Sequence, residues 1–151
     1  MRKNGFTLTE AVLVVLILGV MTAVAIPRLQ FGAIHQSEAR GEAQRLVADL
    51  RRVRSMALRD AATNRKGFEV VMDNSGVTAG YTIDDLDSHD TLDTHTFDDD
   101  VTVTAGTNKY DFGPLGNLTK GQGTEITVAS SGVSLTISFV ATTGAVILTE
   151  N

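Results

Sequence analysis

Few residues in this chain are placed to do chemistry, and the first of them is a carboxylate. In "RKNGFTLTEAVLVVLILGV" two basic residues, Arg2 and Lys3, precede a long apolar run, and Glu10 lies just inside it. A carboxylate in hydrocarbon costs roughly 2.5–3.5 kcal/mol at a helix centre and less near an end. A helix N-terminus eases that cost, because its dipole favours negative charge, but it does not say what the carboxylate is for.

The other candidates carry less. His35, His89 and His95 are the only imidazoles. No Ser–His–Asp order, GxSxG elbow or phosphate loop accompanies them, and "GQGTE" at Gly121–Glu125 is a turn rather than a nucleotide fingerprint. The histidines read as surface residues in loops. No catalytic residue, no cofactor and no enzymatic activity are expected. The segment "DDLDSHDTLDTHTFDDD", residues 84–100, holds eight Asp and no Lys or Arg. Asp85, Asp87, Asp90 and Asp93 offer hard oxygen ligands, but the EF-hand spacing is absent and no Glu closes the loop. His89 and His95 could join a carboxylate on Zn²⁺, yet their spacing on a loop is not diagnostic. The segment therefore reads as a solvated acidic loop or a pair of edge strands, with those four aspartates as weak metal candidates only.

The elements that position these residues follow from periodicity. Phe6 to Ile26 is a run with one charge, and as a helix it spans about 32 Å, enough for a bilayer. Pro27 can kink or end that helix. Beyond it Ala39, Ala43, Leu46, Leu50, Val53 and Ala57 recur at three- and four-residue steps, joined by Val47, Met56 and Leu58. Arg40, Glu42, Arg45, Asp49, Arg52 and Arg59 fall on the opposite face. The pattern predicts one long helix from Phe6 to about Ala62, bent near Pro27 and stopped by "TNRKG". From Gly67 the period becomes two. Phe68, Val70 and Met72 share a face, as do Tyr81 and Ile83, and Val133, Leu135, Ile137 and Phe139. "EITVA", "VSLTISFV" and "AVILT" read as an antiparallel meander. Its inner face needs cover, and the stripe Ala43–Leu58 is the available partner, which predicts an α+β domain with a helix packed on an antiparallel sheet.

Charge divides the same way. Residues 1–66 have a balance of +6 and residues 67–151 a balance of −11. An acidic distal half does not suit nucleic acid, which needs clustered Lys and Arg. The absence of Cys excludes disulfides and thiolate metal sites. The arginines of the helix are expected to pair with acidic surfaces of neighbouring subunits or with the chain's own acidic segment.

At the N-terminus three readings are available: a plain membrane anchor, a cleaved secretory signal with "AVA" at Ala23–Ala25 as its cut site, and a third that accounts for Glu10. "KNGFTLTE" resembles the prepilin signature: a short basic leader ending in Gly, then Phe, then a carboxylate five residues into the mature chain, then an apolar helix. "AQRLVADLRRVRSMAL", "YDFGPLGNLTKG" and the strands up to Gly144-Ala145-Val146 are similar to the GspH/FimT-type minor pseudopilins and minor pilins. The final strand departs from that pattern in lacking the basic residue that often follows its Gly. The resemblance implies a leader of residues 1–5, cleavage between Gly5 and Phe6 by a prepilin peptidase, and N-methylation of Phe6. It also implies a transmembrane and filament-core helix over 6–26, a kink at Pro27, an amphipathic half over 27–66 and a β-rich periplasmic region over 67–151. Glu10 would pair, in the filament, with the Phe6 amine of a neighbour. The implied partners are the peptidase, other pseudopilins or pilins in a helical filament, an inner-membrane assembly platform and, before assembly, membrane lipid. The implied setting is the bacterial inner membrane, N-terminus cytoplasmic. The implied task is assembly of a pseudopilus for type II protein secretion, or else that of a minor type IV pilin in pilus assembly or DNA uptake.

Overall fold

The computed structural model describes residues 7–25, 31–73 and 79–151. The chain divides into two compact units, Met1–Phe31 and Gly32–Asn151.

The first unit contains helix α1, Leu8–Ala25. Thr7 caps it: the Glu10 backbone N–H donates to the Thr7 hydroxyl at 3.3 Å and to the Thr7 carbonyl at 3.1 Å. Such a cap satisfies donors that the first helical turn leaves free. Thr22 turns its hydroxyl back onto the carbonyls of Leu18 and Gly19, both at 2.9 Å. Among the described residues no helix is long and apolar enough to cross a membrane. The expected span also takes in Phe6 and Ile26, which lie outside the described residues.

Helix α2, Phe31–Arg59, has all but its first residue in the second unit, and nine strands follow it among the described residues. β1 (Phe68–Asp73), β2 (Gly80–Asp85), β3 (Thr91–Thr96), β5 (Lys109–Phe112) and β6 (Leu118–Lys120) form one antiparallel sheet in the order β3-β2-β1-β5-β6. β4 (Thr102–Ala105), β7 (Ile126–Ser130), β8 (Val133–Val140) and β9 (Ala145–Glu150) form another in the order β4-β7-β8-β9. The expected meander is β7–β8–β9. The expected single sheet is two, because the apolar stripe of α2 has enough surface for both. Ala39, Ala43, Leu46, Leu50, Val53 and Ala57 are buried in one core with Phe68, Val70, Tyr81, Ile83, Tyr110 and Phe112 from the first sheet and with Ile126, Val128, Leu135 and Ile137 from the second.

Register lines these side chains up. Phe68 faces Phe112 and Val70 faces both Ile83 and Tyr110 across their strands; Val128 faces Leu135 and Ile126 faces Ile137. Tyr110 and Phe139 stack with ring centroids 4.9 Å apart, joining the sheets, and the Leu118 N–H donates to the Ala141 carbonyl at 3.0 Å.

Three details differ from expectation. Leu58 stands 46% exposed at the margin of the stripe, where it fills the space that a side chain at Gly116 would need. The helix ends at Arg59 rather than near Ala62, because buried Asn64 takes over the chain. Asn64 donates to the Gly67 carbonyl and to Asp85, and accepts from the N–H groups of Lys66 and Gly67. The acidic segment follows its edge-strand reading in part, supplying one edge strand, Thr91–Thr96 on β2, rather than a pair.

Leu50 is wholly buried in the core that both sheets share. Leu50→Asp places an unpaired carboxylate there and is expected to abolish the cooperative thermal transition followed by circular dichroism. Leu50→Ala should keep the transition, with stability lowered by about 2–5 kcal/mol. A normal melting curve for Leu50→Asp would remove Leu50 from the core.

Candidate functional site: an uncovered apolar helix and a polar-edged α2

Glu10 lies in the first turn of α1, at the position that a T-x-x-E capping pattern gives to Glu when Thr7 is the cap. Around it the helix is apolar on every side, and within its own unit the described side chains are exposed. Leu8, Val12, Leu13, Val15, Leu16, Leu18 and Met21 are all exposed. A helix apolar all round belongs in a core, a membrane or a helix bundle. Gly5, Phe6 and Pro27 lie outside the described residues, so of the residues expected to act in processing and assembly the structure describes Glu10.

On the second unit, α2 has polar margins on both sides of its stripe. Toward β2 and β3, His95 Nε2 lies 2.6 Å from Glu42, and both side chains are about nine-tenths buried. The Tyr81 hydroxyl donates to Asp49, and Arg52 donates to Asp93 at 2.9 Å. Burial, followed by that bond to Asp49, holds the Tyr81 phenol well above its ordinary range. The reading of His95 as a loop residue at the surface is therefore corrected: it sits in β3 against α2. His35 lies in α2, and only His89 sits in an exposed turn.

Toward the second sheet, Arg40 pairs with Glu150 and Arg51 donates to the Val146 carbonyl at 3.1 Å. Arg54 Nε is shared between the carbonyls of Gly116, at 3.2 Å, and Thr143, at 2.8 Å. Gly144, at φ +65°, lies so close to the Gly116 carbonyl that a Cβ would overlap it. Three stretches far apart in sequence, around Arg54, Gly116 and Gly144, thus meet at one point. The arginines serve this chain's own edges and its own Asp93. The sequence signal was the alternation of Arg with the apolar stripe, which gave the face but not the carbonyl acceptors.

The weak metal candidates do not come together as a ligand group. Asp85 Oδ1 already accepts from Asn64 and from the N–H groups of Asp87 and Ser88. Asp87 faces Lys66 at 3.6 Å and Asp93 is held by Arg52.

The outer face of the first sheet carries a carboxylate row that periodicity alone did not reveal. Glu69 on β1 is registered opposite Asp84 on β2 and Asp111 on β5. Lys109 reaches Glu69 at 2.8 Å and Lys120 lies 4.0 Å from Asp111. Asp84 and Asp111 each bury one oxygen with no donor on it among the described residues. Like charges directly opposite on neighbouring strands destabilise a sheet.

No protein-family model matches the chain, and no curated protein matches it. Among solved structures, the type IV minor pilin FimU of Pseudomonas aeruginosa is similar over 76% of this chain and 89% of that one, with a TM-score of 0.53 and 18% identity. The fold is type IV pilin-like. In this pilin-like fold α2 and the strands of the two sheets supply the globular part.

Burial pushes the Asp111 carboxyl above its usual range; Lys120 opposes the rise and Glu69 adds to it. A carboxyl raised in the folded state favours folding at low pH, and that contribution is lost as pH rises through its folded value. Asp111→Asn is therefore expected to raise the melting temperature at neutral pH and to flatten its pH dependence between the ordinary carboxylate range and neutrality. An unchanged pH profile would show that Asp111 is not strained.

Proposed function

We propose that this chain is a minor structural subunit of a pilin-type filament and not an enzyme. The observation that carries the reading is α1: an apolar helix with uncovered side chains and a single carboxylate in its first turn, in a chain whose globular part is pilin-like. On this reading the chain is made as a prepilin, enters the bacterial inner membrane with its N-terminus cytoplasmic, and loses Met1–Gly5 to a prepilin peptidase that also methylates Phe6. The apolar helix moves from lipid into the core of a helical filament through an inner-membrane assembly platform, while the globular unit stays periplasmic. Glu10 then neutralises the amine of a neighbour's Phe6. In a water-poor filament core that attraction is strong, and either charge alone is strongly disfavoured.

The filament we propose is a periplasmic pseudopilus of type II protein secretion. The second reading, a minor type IV pilin, is favoured by the likeness to FimU, whose own description is a type IV minor pilin. Deleting the gene separates them: loss of protein secretion with pili intact supports the first, loss of pili the second.

The mature N-terminus is expected to be methylated Phe6 by mass spectrometry; a mature chain starting at Ile26 would mean a secretory signal instead. Glu10→Ala should still be inserted and cut, since the segment becomes more apolar and Gly5 is intact. It should accumulate as mature protein in the membrane and be depleted from sheared or cross-linked filament. Glu10→Gln keeps the shape but cannot offset an ammonium, so it should behave nearly as badly. Normal assembly of Glu10→Gln would sink the charge-pairing account.

A further inference from the structure

One cluster on the globular unit takes no part in either margin of α2. His35 Nδ1 lies 3.1 Å from Glu38 Oε2, one helical turn further on, and 3.3 Å from Asp100 Oδ2 on the β3–β4 connection. The three potential ligand atoms all fall within 4.8 Å of one another. We propose that His35, Glu38 and Asp100 form a binding site for a divalent cation of the zinc class.

The donor set points to that class. One imidazole nitrogen with two carboxylate oxygens suits zinc and its borderline neighbours, whereas calcium takes six to eight oxygens. The spacing agrees. Zinc bonds of about 2.0–2.2 Å in a tetrahedron put neighbouring ligand atoms about 3.3–3.6 Å apart, and the two separations from Nδ1, 3.1 and 3.3 Å, lie close to that edge. Local charge favours a cation as well. Neither Glu38 nor Asp100 has a Lys or Arg within salt-bridge distance among the described residues, and Asp98 and Asp99 adjoin the site.

The fold holds the three residues in place independently of any ion. An i,i+3 pair on a helix shares one face, and buried Ala39 fixes that turn of α2 in the core. Asp100 sits in a short turn closed by the Val101 N–H on the Asp98 carbonyl at 2.9 Å, flanked by buried Phe97 and Val101. Asp100 itself is 65% exposed, so a fourth position is open to water or to a donor from another molecule. A bound ion would tie the start of α2 to the chain between the two sheets.

The same contacts could serve a histidine that only hydrogen-bonds two carboxylates, and metal titration separates the cases. Full-length protein in detergent, stripped with a chelator, would be titrated calorimetrically with ZnCl₂ and, separately, with CoCl₂ under visible absorption. One equivalent of Zn²⁺ should bind with a rise in melting temperature, and Co²⁺ should give the intense bands of a four-coordinate site. Asp100→Asn and His35→Ala should both lose saturable binding, and His89→Ala should retain it. Asp100 is exposed, so its variant should fold normally by circular dichroism. Absence of saturable binding in the wild type overturns the proposal, as does binding that survives both Asp100→Asn and His35→Ala.

Discussion

The stripe Ala39, Ala43, Leu46, Leu50, Val53 and Ala57 is the surface on which both sheets close. Its composition suits that geometry. Alanine at three of six positions keeps the backbone near the sheets, and the larger residues between them fill the space that the two inner faces leave. Each sheet alone would have an apolar face open to water, since neither is wound onto a helix of its own. Burial of such faces is the main favourable term in folding. The two sheets can therefore be stable together only because one helix covers both, with Tyr110 stacked on Phe139 where they meet.

A stripe alone does not fix how a helix lies, because apolar contact has no direction. The polar margins do. Glu42 with His95 and Asp49 with Tyr81 are buried or half-buried, so a rotation of α2 that broke them would strand charge or a hydroxyl out of water. Arg54 works on the other margin in the same sense, holding two carbonyls from different loops. Helix α1 has no such margins. Its only charged side chain among the described residues is Glu10, and its described apolar side chains are exposed on every face.

The period of the sequence was enough to find the stripe, the inner faces of β1, β2 and β8, and the meander at the C-terminal end, because each is a direct record of which side chains avoid water. It was not enough to separate one sheet from two. That depends on which strands pair, and β4, β5 and β6 are too short to show a period. The buried role of Asn64 was also hidden, since a turn residue in "TNRKG" looks the same whether it faces solvent or knits a helix end to Asp85. His95 was hidden for a related reason: its strand is exposed on nearly every position but that one. The carboxylate row of Asp84, Glu69 and Asp111 appears only after register is known, because its members come from three different strands.

Glu10 is where local structure and assembly can be told apart. Thr7 as cap places Glu10 at the third position of the first turn, and its backbone N–H bonds to the Thr7 hydroxyl. A capping pattern of this kind is served as well by Gln as by Glu. Helix start-up therefore explains a residue of that length at position 10 and leaves its charge without a structural partner, since Glu10 has no ion pair among the described residues. The dipole of the helix offsets some of the cost of that charge, by about 0.3–1 kcal/mol at exposed sites, which is well below the roughly 2.5–3.5 kcal/mol for a carboxylate deep in hydrocarbon. Near a helix end the hydrocarbon cost is itself smaller, so the dipole and the position together offset part of it, and a partner outside the helix would offset the rest. On the proposed reading of the chain as a filament subunit, a cation contributed by another molecule close to the first turn would be such a source, and the α-amino group that cleavage before Phe6 would expose is a cation of suitable size.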